Sequence, residues 1–465
     1  MRERIEERRP LDQPAPADPG WAWAAYQPDA QRPWNLSLAA HLYRRAGFAA
    51  GWRQLQQALS DGPQRTVDKL LRPQTDVDAF NQAYDGNEDA TGSIEGLQAW
   101  WSRRMIETPH PLLEKMTLFW HGYFATNAEP VKSPALMRAQ IQLLRRHALG
   151  SFDSLLQVIW RDPAMLVWLG ADANRKAAPN ESFARPFLET FTLGPGEFTE
   201  KDVREVARAF TGWFVLRDRL RYIPREHDDT PKRILGHEGN FAGEDVVRIV
   251  LQHPATSRLV VRRLYRWLIS EMDEPGTALL APLAESFAKD YNVSRLVEAM
   301  LRSNLFFSRQ SYRQRVKCPV EYAVGIATSL EGTVSTTRLA QDIADLGQAL
   351  YYPPTVKGWR GGRRWINSAT MVGRHNLAAA LLRDEEPYGG KLDPWALAQR
   401  HGHAMPESAA RFLIELFVQG DIDPSVQDEL LENVRGAGPD SGNDPGAVLR
   451  CLAQRVMTLP EFQLA

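Results

Sequence analysis

Apolar residues recur along this chain with the spacing of helices far more often than with the alternation of strands. Leu36–Gly47, LSLAAHLYRRAG, has an Asn at position 35 to cap its start and a Gly to stop it. SIEGLQAWWSRRMIET, residues 93–108, places Leu97, Trp100, Trp101 and Met105 on one side. Pro111 then opens PLLEKMTLFWHGYFATN, at a first-turn position where proline is tolerated. That segment is apolar almost all round, which predicts burial on most sides, with a narrow polar stripe of Glu114, Thr117 and His121. Further helices are predicted over 133–148, 152–161, 181–191 and 200–213. Thr199 and Asp202 form a capping-box pattern at the last of these.

WFVLRDRLRYIP, residues 213–224, alternates instead and predicts a β-hairpin turning about Asp218-Arg219; no second strand pair is predicted. Helical spacing resumes over 243–251, 254–272, 278–286, 294–302, 320–331, 336–350 and 371–382. The expectation is a mainly α fold: a large multi-helix body with one small β-hairpin and a C-terminal helical subdomain. Three parts follow. Residues 1–35 form an extended arm, rich in Pro, Asp and Gln, which Trp21, Trp23, Tyr26 and Trp34 pin to the body. Residues 36–385 form the main helical domain, and 386–465 a smaller helical unit with a polar, Gly-rich insert, RGAGPDSGNDPG.

Composition narrows the classes. At 465 residues, 43% hydrophobic and 24% charged, the chain has an ordinary globular balance. Its 57 acids and 56 bases nearly cancel, so nucleic acid is not an expected partner. Two cysteines, Cys318 and Cys451, are too few for a disulfide framework or a Cys-rich zinc site. No apolar run is long enough to span a membrane. The opening residues carry no apolar leader, and Arg8-Arg9 precedes no hydrophobic run, so cytoplasmic placement is the expectation.

Signatures of phosphate-binding loops, zincins and serine hydrolases are absent. Four places could carry chemistry. Glu181, Arg185 and Glu189 are spaced to share a helical stripe, either as acid–base carboxylates held by an arginine or as an ion-pair ladder; Pro186 should kink this segment. His121 is a base or ligand, or a hydrogen-bonded core histidine. His227, Asp228 and Asp229, with Lys232, could hold a hard divalent cation or form local caps and turns. No strong motif indicates a metal, and the cofactor is left unknown. Lys357-Gly358-Trp359 with Trp365-Ile366-Asn367, beside Arg360, Arg363 and Arg364, would suit a sugar ring or aromatic ligand, or pin a loop in a groove.

HLYRRAGF (41–48), KMTLFWHGYFAT (115–126), LLRRHALGSF (143–152), the 175–194 stretch, EVARAFTGW (205–213), HDDTPK (227–232), VKCPVE (316–321) and VKGWRGGRRWIN (356–367) occur in order. Together they resemble the bacterial family catalogued as domain of unknown function 1800, over roughly residues 36–465. The resemblance implies a helical fold with no assigned activity, frequent export, and a sulfatase- or phosphatase-like companion protein acting on exported polymers. It marks His121, Lys176, Asn180, Glu181, Arg185, Glu189, His227, Asp228, Lys232, Trp359 and Asn367. Tyr123, Pro186 and Phe191 stand where the resemblance implies a histidine, an acid and sometimes a histidine.

Two functions are open at this stage. In the first, the chain is an enzyme. Glu181 or Glu189 is then the acid–base group, His121 a second base or ligand, and Arg185 and Lys232 the anchors of an anionic substrate. Lys176, Asn180, His227, Asp228, Trp359 and Asn367 complete that pocket. In the second, these charges are structural and the Trp/Arg loop of a non-catalytic module docks a partner protein or glycan.

Overall fold

The computed structural model describes residues 18–73, 75, 77–86, 92–435 and 444–465. Residues 1–17 of the expected arm, with Arg8-Arg9, and most of the Gly-rich insert lie outside them. The fold is mainly α-helical, with two small two-stranded sheets. Among the described residues no helix is long and apolar enough to cross a membrane.

Local chemistry sets most helix starts. The Asn35 side chain accepts from the Leu38 N–H at the head of Leu36–Ala46, and Gly47 follows its end. Proline opens Pro111–Tyr123, Pro134–His147, Pro254–Leu268, Pro319–Ser329 and Pro445–Thr458, where its missing N–H costs nothing. The Thr199/Asp202 capping box forms at Glu200–Ala209. The arm residues that are described are tied down: Ala22 and Tyr26 are buried, and the indoles of Trp23 and Trp34 donate to the carbonyls of Leu279 (2.7 Å) and Ala58 (2.9 Å).

The expected hairpin is present, as β1 (Trp213–Leu216) and β2 (Arg219–Tyr222), antiparallel with Trp213 opposite Tyr222. Its turn is one residue earlier than expected: Arg217 and Asp218 carry the positive φ angles, 52° and 60°, that a tight two-residue hairpin turn requires. A second pair corrects the expectation of a single hairpin. β3 (Lys232–Ile234) and β4 (His237–Gly239) pair antiparallel across Leu235-Gly236, both at positive φ. Three residues per strand are too few to show alternation, which is why the pattern hid it.

One apolar core runs through the molecule from Ala22 to Phe462 and includes the helices of both the body and the C-terminal unit. Ser368–Leu382 packs along Pro445–Thr458, joining the two. The helix Pro111–Tyr123 crosses this core, and its polar stripe is buried rather than wet. Glu114 accepts from Arg104 Nε (2.7 Å), Arg145 Nε (2.7 Å) and the Trp101 indole (2.9 Å). Burial pushes its carboxyl up, but the Arg145 and Arg104 charges outweigh that and hold it below its ordinary value. Next to it, Lys115 donates to Glu321 and to the Arg44 carbonyl, and Arg315 grips Glu321 with two bonds of 2.9 Å.

Removing one member of a buried ion network leaves its partners charged and dry. Glu321→Gln should therefore destabilise the protein by about 3–5 kcal/mol in urea denaturation. Glu407→Gln, which breaks the exposed pair with Arg411, should cost under about 1 kcal/mol.

Candidate functional site

The eleven expected site residues do not converge. Five of them are held around the two hairpins. Asn180 caps Glu181–Pro186: its Oδ1 accepts from the Phe183 N–H (3.1 Å), and its side-chain amide donates to the Gly170 carbonyl. Lys176 hydrogen-bonds through its backbone to Glu226, and its side chain is exposed. His227 Nδ1 lies 2.9 Å from the Thr211 carbonyl. Asp228 accepts from Arg208 Nε (2.7 Å) and the Thr230 N–H (3.0 Å). Burial raises its carboxyl, and the Arg208 and Thr230 bonds more than reverse this, leaving it well below the usual range. Lys232 is buried and donates to the carbonyls of Asp228 (2.5 Å) and Thr230 (3.0 Å). Each of Asn180, His227, Asp228 and Lys232 is satisfied by near neighbours, as caps and turns are.

The expected Glu181–Arg185–Glu189 ladder does not form. The α-helix ends at Pro186, and Phe187–Thr192 continues as a π-helix, with the Leu193 N–H reaching back five residues to the Leu188 carbonyl (2.7 Å). The wider winding takes Glu189 off the stripe. Arg185 instead grips Glu200 with bonds of 2.9 and 2.5 Å, and Glu189 pairs with Lys357 at 2.8 Å. Glu181 is exposed.

His121 is a core histidine. It is 1% exposed, accepts from the Tyr351 N–H at Nε2 (3.1 Å), and packs against Trp101, Tyr351 and Trp359. Burial alone pushes its pKa down to about 3. Asn367 caps Ser368–Leu382, accepting from the Thr370 N–H (3.0 Å).

The cavity with convergent chemistry lies elsewhere, on the far side of Trp359. It encloses about 400 Å³ between Pro111–Tyr123, Pro254–Leu268 and the 357–365 loop. Its floor is Phe119, Tyr123, Trp267 and Arg315, where the Arg315 guanidinium, paired with Glu321, stacks 4.2 Å over Trp267. Its walls are Arg262, Arg263, Arg266, Lys357 and Arg360, with Trp359 and Trp365 beside them, against Glu271 and Glu274. Arg266 is matched by Glu274 (2.6 Å) and Lys357 by Glu189. Arg263 donates to the Thr190 carbonyl (2.9 Å) and lies 4.5 Å over the Tyr123 ring, with no carboxylate partner among the described residues. Among the described residues, Arg262 and Arg360 form no ion pair. The Trp267 indole N–H is buried without an acceptor.

Gly358 positions this loop. At φ +70° its Cα faces the Gly122 carbonyl so closely that a Cβ would overlap it. Cys318 also lines the cavity, but burial pushes its thiol up to about 12, so it is no nucleophile at neutral pH. Among the described residues no group of three or more His, Cys, Asp or Glu is placed to share a metal ion.

Of those eleven residues Trp359 lines this cleft, with Glu189 behind Lys357 and His121 behind Trp359; Lys357, Arg360 and Trp365 of the expected Trp/Arg loop line it as well. Two of the three departures meet beside it: the Tyr123 hydroxyl donates to the Phe191 carbonyl (2.9 Å). Arg262, Arg263 and Arg266 were not anticipated. The available signal was three arginines within five residues, followed by a tryptophan, on a helix with an otherwise apolar face.

Because His121 is neutral in the folded chain and protonated below about pH 6.5 when unfolded, the unfolded state binds more protons on acidification. Stability should fall from pH 6.5 towards pH 3, by up to about 1.4 kcal/mol per pH unit from this group. His121→Gln should be measurably less steep over that range in pH-dependent denaturation.

No curated protein and no solved structure matches the chain. The model of one family, described as "Protein of unknown function (DUF1800)", matches residues 41–464, nearly the whole length, and the chain belongs to that family.

Proposed function

We propose that this chain is a binding module whose arginine- and tryptophan-lined cleft takes a segment of an acidic glycan. The observation that carries this reading is the unmatched guanidinium excess. Arg262, Arg263 and Arg360 line a cavity of about 400 Å³ and, among the described residues, have no carboxylate partners of their own. A guanidinium fork fits carboxylate, sulfate and phosphate groups with paired hydrogen bonds. The faces of Trp359 and Trp365 suit the apolar face of a sugar ring, and the free Trp267 indole N–H suits a ring oxygen or hydroxyl. The volume falls within the usual range of about 300–1,000 Å³ for small-ligand pockets.

The enzyme reading has less support. Its acid–base candidates do not line the cleft: Glu181 is exposed, Glu189 is paired with Lys357 and His121 is buried, while Asn180, Asp228 and Lys232 are engaged in caps and loops. A sulfatase- or phosphatase-like companion is consistent with the binding reading, because such an enzyme removes the anionic groups that this cleft would grip.

Calorimetric titration with a sulfated or uronate-rich oligosaccharide, against a neutral one of equal length, tests the proposal. Arg360→Ala should weaken binding of the acidic oligosaccharide by roughly tenfold, the loss of one charged hydrogen bond. Binding should weaken steeply with salt. Glu181→Gln should bind as the unaltered protein does. Equal affinity for the neutral oligosaccharide would overturn the reading. So would turnover of the bound glycan that Glu181→Gln abolishes.

A further inference from the structure

A second, smaller cavity lies where the C-terminal helices meet the body, apart from the cleft and independent of the proposed function. It holds about 20 Å³, room for one water-sized species. Arg44, Lys317, Ser329, Gln419 and Phe462 line it, with apolar residues between them and no carboxylate or histidine. Lys317 is 5% exposed, and its ammonium forms no hydrogen bond among the described residues; it lies 3.7 Å over the Phe462 ring. Arg44 is 7% exposed, and its Nε and Nη2 are buried without acceptors. Its Nη1 donates to Gln419 Oε1 at 2.8 Å, and its guanidinium lies 5.9 Å over the Tyr312 ring. The nearby Tyr312 hydroxyl is committed to Asp421 (2.9 Å).

Two neighbouring basic side chains in a cavity that no acid lines, one of them with idle buried N–H donors, are costly. Arg374 adds to the excess: it is fully buried and spends its donors on the Lys317 carbonyl (2.7 Å) and Gln463 (3.0 Å). Arg313 is neutralised by Asp421 at 3.1 Å. We propose that the cavity binds a small monovalent anion of the halide class, held by the Lys317 ammonium and the free N–H groups of Arg44. A single anion is small enough for the space and supplies the missing acceptor to both cations. Water could accept from both, but it carries no charge to offset theirs. Bound there, the anion links Leu36–Ala46, which carries Arg44, to the segment before Pro319–Ser329, which carries Lys317.

Crystals of the full chain grown in sodium bromide test this directly. An anomalous bromide peak is expected in the cavity, within hydrogen-bond reach of Lys317 Nζ and Arg44 Nη2. In solution, Tm should rise saturably when chloride replaces gluconate at matched ionic strength. The rise should be about 2–3 °C at a hundredfold excess over the dissociation constant. Lys317→Met should abolish that chloride dependence. A cavity without an anomalous peak overturns the proposal, whether or not the variant folds. So does equal Tm in chloride and gluconate, or a response that Lys317→Met leaves intact.

Discussion

The structure depends on burying charge in matched sets along one helix. Pro111–Tyr123 carries adjacent residues of opposite sign, Glu114 and Lys115, both with no exposed surface. An unmatched charge in such a place would cost several kcal/mol, so each recruits partners from distant segments. Glu114 takes Arg104 and Arg145, and Lys115 takes Glu321, which in turn takes Arg315. These bonds fix how at least four helices and the loop before Pro319 meet. They also set the cleft floor, because Arg315 held by Glu321 is the guanidinium stacked on Trp267.

The contrast between floor and walls gives the cleft its chemical character. Below, Arg315 is matched by Glu321 and both are buried. Above, Arg262, Arg263 and Arg360 have no such partner among the described residues, while the neighbouring pairs Arg266–Glu274 and Lys357–Glu189 anchor the rim. An exposed arginine without a partner is ordinary on a protein surface. Several around one aromatic-lined hollow concentrate positive potential where low-dielectric walls strengthen it. The small cavity beside Lys317 is the same imbalance at closer range, with two cations sharing a space that no acid enters.

In the stretch from Asn174 to Lys232 polar side chains serve the backbone. Two hairpins and a short helix leave many backbone groups without regular partners, and Asn174, Asn180, Asp228 and Lys232 supply them. Such residues look like an active site in a sequence because capping and catalysis draw on the same side chains. The π-helix at Phe187–Thr192 shows the same limit. Spacing that assumes an α-helix assigned Glu189 to a stripe that the wider turn does not preserve.

What the sequence by itself determined was local. Helical periodicity, proline-opened first turns, the Asn35 and Thr199 caps and the alternation of 213–222 depend on residues within a few positions of one another, so they were legible directly. The Trp359 loop was legible as a candidate because aromatic and basic residues stand side by side in it. The tertiary structure decided which charges are matched. Arg315 with Glu321 and Lys357 with Glu189 are sequence neighbours in one case and 168 positions apart in the other, and composition counts both alike. His121 became an inert acceptor and Arg262 an unpaired donor through burial and distance, quantities that exist only once the chain has folded back on itself.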